Sequence, residues 1–230
     1  MFKTQQEIQA NYEFLIAEIK INISAVKTKI DRFSVIRVIL LIADIAFFVW
    51  FVSTNDDLST LISGLSLMGP VIIFIVVVKK QSALSKHEIY LKNLLWIYQN
   101  EVNLITGGEN GYDYGGAFEN DDHPYLSDLD IFGKSSLFEM INRCTTKKGN
   151  EKLSNHLITE NDKTTILARQ AAVQEVVLKI DSTFDFRANL KGHDVSKIEE
   201  LKYKFKEQLA KQLGFTQQQF LRIYVKMAPL

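Results

Sequence analysis

The chain has 230 residues, room for one or two domains and a sizeable core, and its 27 Lys and Arg balance its 27 Asp and Glu. That neutrality excludes the global basic field of a nucleic-acid binder, though not a local patch. A single cysteine, Cys144, excludes an internal disulfide and a thiolate-rich zinc site, and only three prolines (Pro70, Pro124, Pro229) leave room for long helices.

In chain order, Ile8, Tyr12, Leu15, Ile19, Ile23, Val26 and Ile30 advance in steps of three and four, one stripe along an α-helix. Residues 34–53, SVIRVILLIADIAFFVWFVS, then run for about the length of a membrane crossing, and residues 58–78, LSTLISGLSLMGPVIIFIVVV, repeat it without a charge. A cleaved signal peptide does not fit, because the first stretch starts late and a second follows. Two buried helices of a soluble core are the alternative. Beyond the second stretch, His87, Leu91, Leu94, Tyr98, Val102 and Ile105 resume the helical rhythm. The pattern predicts two long helices, about 5–52 and 58–105, packed antiparallel as a stalk rising from a membrane hairpin. The stripes either pack on each other or join two copies in a coiled-coil homodimer.

Flanking charge sets the expected topology. Lys27, Lys29 and Arg32 precede the first span, Lys79, Lys80 and Lys86 follow the second, and STNDDLS between them has no Lys or Arg. The positive-inside rule puts both ends in the cytoplasm and the turn outside, in a multi-pass protein of the cell (inner) membrane with the bilayer as partner. Neither segment is basic enough for a dedicated anionic-lipid helix. Arg37 lies near the cytoplasmic end and can snorkel; Asp44 lies near mid-span, where it must be protonated or meet a polar partner. A polar contact between helices, with Ser59, Ser63 and Gly64 allowing close approach, competes with an ion pathway, for which one carboxylate makes no relay.

Residues 106–124 are rich in glycine and acids without the ligand spacing of a calcium loop, and read as a solvated linker. Helices are expected at 135–143, with Leu137, Phe138 and Ile141 apolar, and at 147–158, with Leu153 and Leu157. Another, capped by Asn161 or Asp162, runs to about Ile180 with Ile166, Leu167, Val173, Val176 and Val177 facing inward. A Lys-rich helix over 195–213 carries Ile198, Leu201, Phe205 and Leu209, and the segment after it lacks a closing cap, so the 125–230 domain reads as incomplete.

No catalytic, cofactor or metal site emerges. FGKSS lacks the glycine a phosphate loop needs, since Asp128 holds that position, and no strand precedes it. His87, His123, His156 and His193 are scattered, and Asp128 with Asp130 fits helix capping better than an acid pair.

Residues 123–180 together carry more than any single motif. SLFEMINRCTTKKGNEKLSNHL, with Leu137, Asn142, Arg143, Thr145, Gly149, Leu153 and Leu157, and ILARQAAVQEVV, with Ile166, Arg169, Gln170, Val173 and Glu175, resemble the core (lever) domain of the MutS family of DNA mismatch-repair ATPases. The resemblance implies an all-α fold: a transmembrane hairpin extended into a stalk, then a MutS-core-like helical domain. Gly149 would let two helices cross closely and Arg169 would tie neighbouring helices. The family's mismatch-reading domain is replaced by the stalk and its Walker A loop is absent from these residues. The resemblance thus implies a membrane-attached MutS-like protein of which this chain is the non-catalytic anchor and lever. ATP and Mg are expected only with a downstream ATPase domain. If DNA is a partner, Lys147, Lys148, Lys152, Lys202, Lys204 and Lys206 are the candidate contacts, against an ordinary solvated face. The alternatives are a membrane-tethered scaffold that binds proteins and a small channel built on Asp44.

Overall fold

The computed structural model describes residues 4–53, 57–120, 123 and 125–193, and those residues are all-α with turns between the helices. The elements are α1 (Gln5–Ser53), α2 (Asp57–Thr106), α3 (Leu137–Ile141), α4 (Lys147–Ile158), α5 (Lys163–Val177) and α6 (Ile180–Leu190), with a 3-10 turn at Gly116–Phe118. The chain divides into two compact units, residues 1–111 with 166–189, and residues 112–165 with 190 onward.

In the first unit α1 and α2 pack antiparallel. Gln5 Nε2 donates to the Ile105 carbonyl at 2.9 Å near one end, and Arg37 Nη1 donates to Gln81 Oε1 at 3.1 Å farther along. The core lies where the two stripes meet: Ile19, Val26, Leu91 and Tyr98 are buried, with Tyr12, Leu15, Ile23, Ile30 and Leu94 packed on them. Pro70 sits inside α2 without ending it. The helix stops at Gly107, whose φ of 73° is left-handed and open to glycine at no steric penalty, and Gly108 N–H closes the end on the Asn103 carbonyl at 2.7 Å.

The fully buried α2 residue of this core, Ile97, is not on the expected stripe. Tyr90, Asn93, Ile97 and Glu101 form a second stripe on α2, and it receives α6. Tyr90 O–H donates to Asp185 Oδ1 at 2.6 Å, Asn93 Nδ2 donates to the Ala188 carbonyl at 2.9 Å, and Arg187 meets Glu101 at 3.1 Å. Phe184 closes the interface against Tyr98 and Tyr12, with ring centroids 4.9 and 5.8 Å away. Where one helix was expected to run to Ile180, the chain breaks after Val177 and restarts as α6.

The residues expected to face inward on α5 do not. Ile166, Leu167, Val173, Val176 and Val177 are all exposed. Apolar residues occur almost all the way round this helix, so its sequence defines no single inward face. Asp162 does cap it, accepting from Thr165 N–H at 3.4 Å, and the hydrogen bond of the Thr165 side chain, with this backbone bond behind it, holds its carboxyl below the usual range.

The second unit corrects the linker. Tyr112 and Gly115 are buried, and Phe118, Phe132 and Phe138 form an aromatic cluster with centroids 5.4 to 5.9 Å apart. Gly115, at φ 78°, lies so close that a Cβ would come within 2.7 Å of Phe138 and 2.9 Å of Phe132. Composition suggested solvation, but the aromatic residues among the glycines supply a core. The α3 helix is shorter than 135–143 and buries Phe138, while Leu137 and Ile141 stay exposed. Its cap is Ser136 rather than Asp128 or Asp130: Ser136 Oγ accepts from Glu139 N–H, and Glu139 accepts from Ser135 N–H at 2.6 Å. Lys147–Ile158 forms α4 as expected, with Thr146 Oγ1 accepting from Gly149 N–H.

Candidate functional site

Three places in the fold stand out, the first two holding residues singled out by sequence. The first is the apolar half of the α1–α2 pair. Val35, Ile42, Val49, Ile72 and Ile73 are all more than half exposed there, whereas Val77 is buried. None of the most apolar window of α1 is buried and almost none of that of α2. Such side chains are not a soluble core. Both helices are long enough and apolar enough to cross a membrane.

Arg37 and Asp44 both lie in this half and are half-buried. Besides its bond to Gln81, the Arg37 guanidinium sits over the Phe74 ring at 5.4 Å, and Gln81 Nε2 in turn donates to Ser34 Oγ at 2.9 Å. Asp44 Oδ1 is buried without a hydrogen-bond partner among the described residues. The close approach expected at Gly64 is present, since a Cβ there would lie 3.3 Å from Phe51. The side chains of Ser59 and Ser63 lie outside the described residues.

The second place is the turn that joins α3 to α4. Asn142 is fully buried: its Nδ2 donates to the Asp113 carbonyl and its Oδ1 accepts from Cys144 N–H, both at 2.8 Å. Asp113 Oδ1 accepts from Gly115 N–H at 2.8 Å and Oδ2 accepts from Asn150 Nδ2 at 3.2 Å. Asp113 therefore ties its own turn to Asn142 and to the first turn of α4, a role its setting among glycines concealed. Arg143 Nη1 donates to the Met140 and Asn142 carbonyls at 2.9 and 3.0 Å and lies over Tyr112, so it closes the C-terminal end of α3. Gly149 does not sit at a helix crossing. A Cβ there would come within 3.1 to 3.2 Å of Cys144 and Thr146, so the crowding comes from the turn preceding its own helix.

Lys147, Lys148 and Lys152 are exposed on the first turns of α4, and Arg169 is half-buried in α5. Lys202, Lys204 and Lys206 lie outside the described residues, as do Ile198, Leu201, Phe205 and Leu209 of the helix expected at 195–213. No group of three or more His, Cys, Asp or Glu gathers to hold a metal ion among the described residues.

The third place, the α6 seat, was not singled out by sequence. Arg187 and Glu101 pair with side chains only 11% and 13% exposed, and Arg187 lies over Phe184 at 4.5 Å. Burial, reinforced by the bond to Asp185, pushes the Tyr90 hydroxyl up to about 12; burial and the nearby Asp181 do the same to Tyr98. The signal lay in the spacing of Tyr90, Asn93, Ile97 and Glu101, a second helical stripe beside the first.

Fold and sites together define an all-α protein with two helices long and apolar enough to cross a membrane. Comparisons with protein-family models, with curated proteins and with solved structures found no match.

Proposed function

We propose that the chain is the anchor and lever portion of a membrane-attached, MutS-like protein. Two helices cross the cell membrane as a hairpin, with the turn outside and both ends in the cytoplasm. They continue as an antiparallel stalk, and the helices from 125 onward serve as a non-catalytic core/lever domain. The observation that carries the anchor is the change along α1 and α2, buried in one half and exposed with apolar side chains in the other. The lysines flanking that exposed half support the orientation. The MutS-like part is supported by the order of its motif residues and by the structural use of Asn142, Arg143 and Gly149 at a tight interhelical turn. ATP and Mg belong to this reading only through a downstream domain.

Single-cysteine labelling tests the anchor. In a Cys144→Ser background, Asn55→Cys reacts with a membrane-impermeant maleimide in intact cells, while Lys20→Cys reacts only after permeabilisation. The reverse pattern, or equal labelling, rejects the topology. DNA contact is tested with the full chain in detergent: binding that weakens with salt, and a salt slope reduced by about one for each of Lys147→Gln, Lys148→Gln and Lys152→Gln, supports the MutS-like reading. Absence of salt-dependent binding favours the second reading, a membrane-tethered scaffold for protein partners. The exposed apolar side chains of α5 support that alternative.

A further inference from the structure

The basic residues that flank the apolar half belong to two different helices, and the register of the pair brings them to one level. The contacts of Gln81 with Arg37 and Ser34 align that part of α2 with residues 34–37 of α1. At about 1.5 Å of rise per residue, Lys29, Arg32, Lys79, Lys80 and Lys86 fall within about 12 Å of this contact along the axis, with Lys27 half a turn farther. These six cations are exposed, and none is in an ion pair among the described residues. Across residues 27–37 and 79–86 the sequence sets seven cations, Arg37 included, against one acid, Asp31.

Arg37 stands at the apolar edge of this band. Its Nη1 is used by Gln81 and its face by Phe74, while its Nε is buried with no acceptor among the described residues. Exposed, unpaired cations gathered at one level beside a half-buried guanidinium have the chemistry that receives phosphate oxygens.

We infer that this band is a binding surface for the phosphate groups of anionic lipids, with Arg37 at its apolar edge. The inference rests on the membrane reading above. Neither helix carries enough charge by itself, which is why sequence pointed to no lipid-binding segment; the antiparallel register adds the two runs. Each cation at an anionic surface strengthens association about fivefold, and the effect fades beyond a Debye length of about 8 Å at physiological salt. Free phosphate offers the same oxygens, so the test separates the two sources.

The full chain in neutral detergent is titrated with phosphatidylglycerol, with phosphatidylcholine and with inorganic phosphate while its unfolding temperature is followed. Phosphatidylglycerol raises that temperature at concentrations where phosphatidylcholine does not, and salt weakens the response. The triple variant Arg32→Gln/Lys79→Gln/Lys80→Gln changes only exposed side chains and leaves the Arg37–Gln81 contact in place. It is expected to need about a hundredfold more phosphatidylglycerol. An equal response to phosphatidylcholine, or an unchanged titration in the triple variant, overturns the inference while the membrane reading stands. Saturation by inorganic phosphate at the same concentrations overturns the lipid assignment. Partition of the chain into the aqueous phase during detergent phase separation overturns the membrane reading and this inference together.

Discussion

Two halves of one helical pair obey opposite rules. In residues 5–33 and 79–106, α1 and α2 bury Ile19, Val26, Leu91, Ile97 and Tyr98 and tie α6 on with hydrogen bonds and an ion pair. In residues 34–53 and 68–78 the same two helices expose Val35, Ile42, Val49, Ile72 and Ile75. Helix geometry is common to both halves, so it does not account for the difference. On the membrane reading proposed above, the surrounding solvent does: water drives apolar side chains into the seam, whereas hydrocarbon exerts no such force and accepts them on the outside.

Substitutions that act on one half and spare the other sharpen this comparison. Arg187→Ala removes the largely buried ion-pair partner of Glu101 and is expected to destabilise the first unit by about 3–5 kcal/mol. Denaturant unfolding measures it, and the double variant with Glu101→Gln should recover part of the loss. Ile97→Ala, at a fully buried site, should lose about 2–5 kcal/mol. Ile42→Ala, on the exposed apolar face, should lose less than about 1 kcal/mol in a bilayer, since lipid fills the space. Equal losses at the two positions would break the comparison. Asn142→Ala removes both partners of a buried turn and should lose about 2 kcal/mol, seen as faster hydrogen exchange confined to residues 112–150.

The smallest expected effect is alkaline. Tyr90 and Tyr98 hold their protons more tightly folded than unfolded, with values pushed up to about 12 from 10.0. Their contribution to stability is complete below pH 10 and is lost as pH rises from 10 to 12. Tyr90→Phe should flatten that fall, followed by thermal unfolding at stepped pH; an unchanged slope would remove Tyr90 from the account.

The ends of α1, α2 and α4 were legible in the sequence to within a residue or so, because unbroken apolar periodicity is a local signal. The α6 seat was not, because a helix with two partners carries two stripes and the eye follows the stronger. The packing of residues 112–118 was hidden by glycines, whose positive φ at Gly115 serves a close aromatic contact rather than a loose loop. On α5 the apolar residues were read correctly but not their exposure, since hydrophobicity around most of a helix does not say which side is covered. The basic band was half-legible: its charges are in the sequence, their common level only in the register of α1 against α2.

The chain's two tryptophans divide the halves between them, Trp50 in the apolar half of α1 and Trp96 beside the buried core of α2. Single-tryptophan variants, Trp96→Phe and Trp50→Phe, reconstituted in vesicles whose acyl chains carry bromine, test the membrane claim directly through collisional quenching. Strong quenching of Trp50 with little or none of Trp96 is the predicted result. Equal quenching of the two, or none of Trp50, would contradict it.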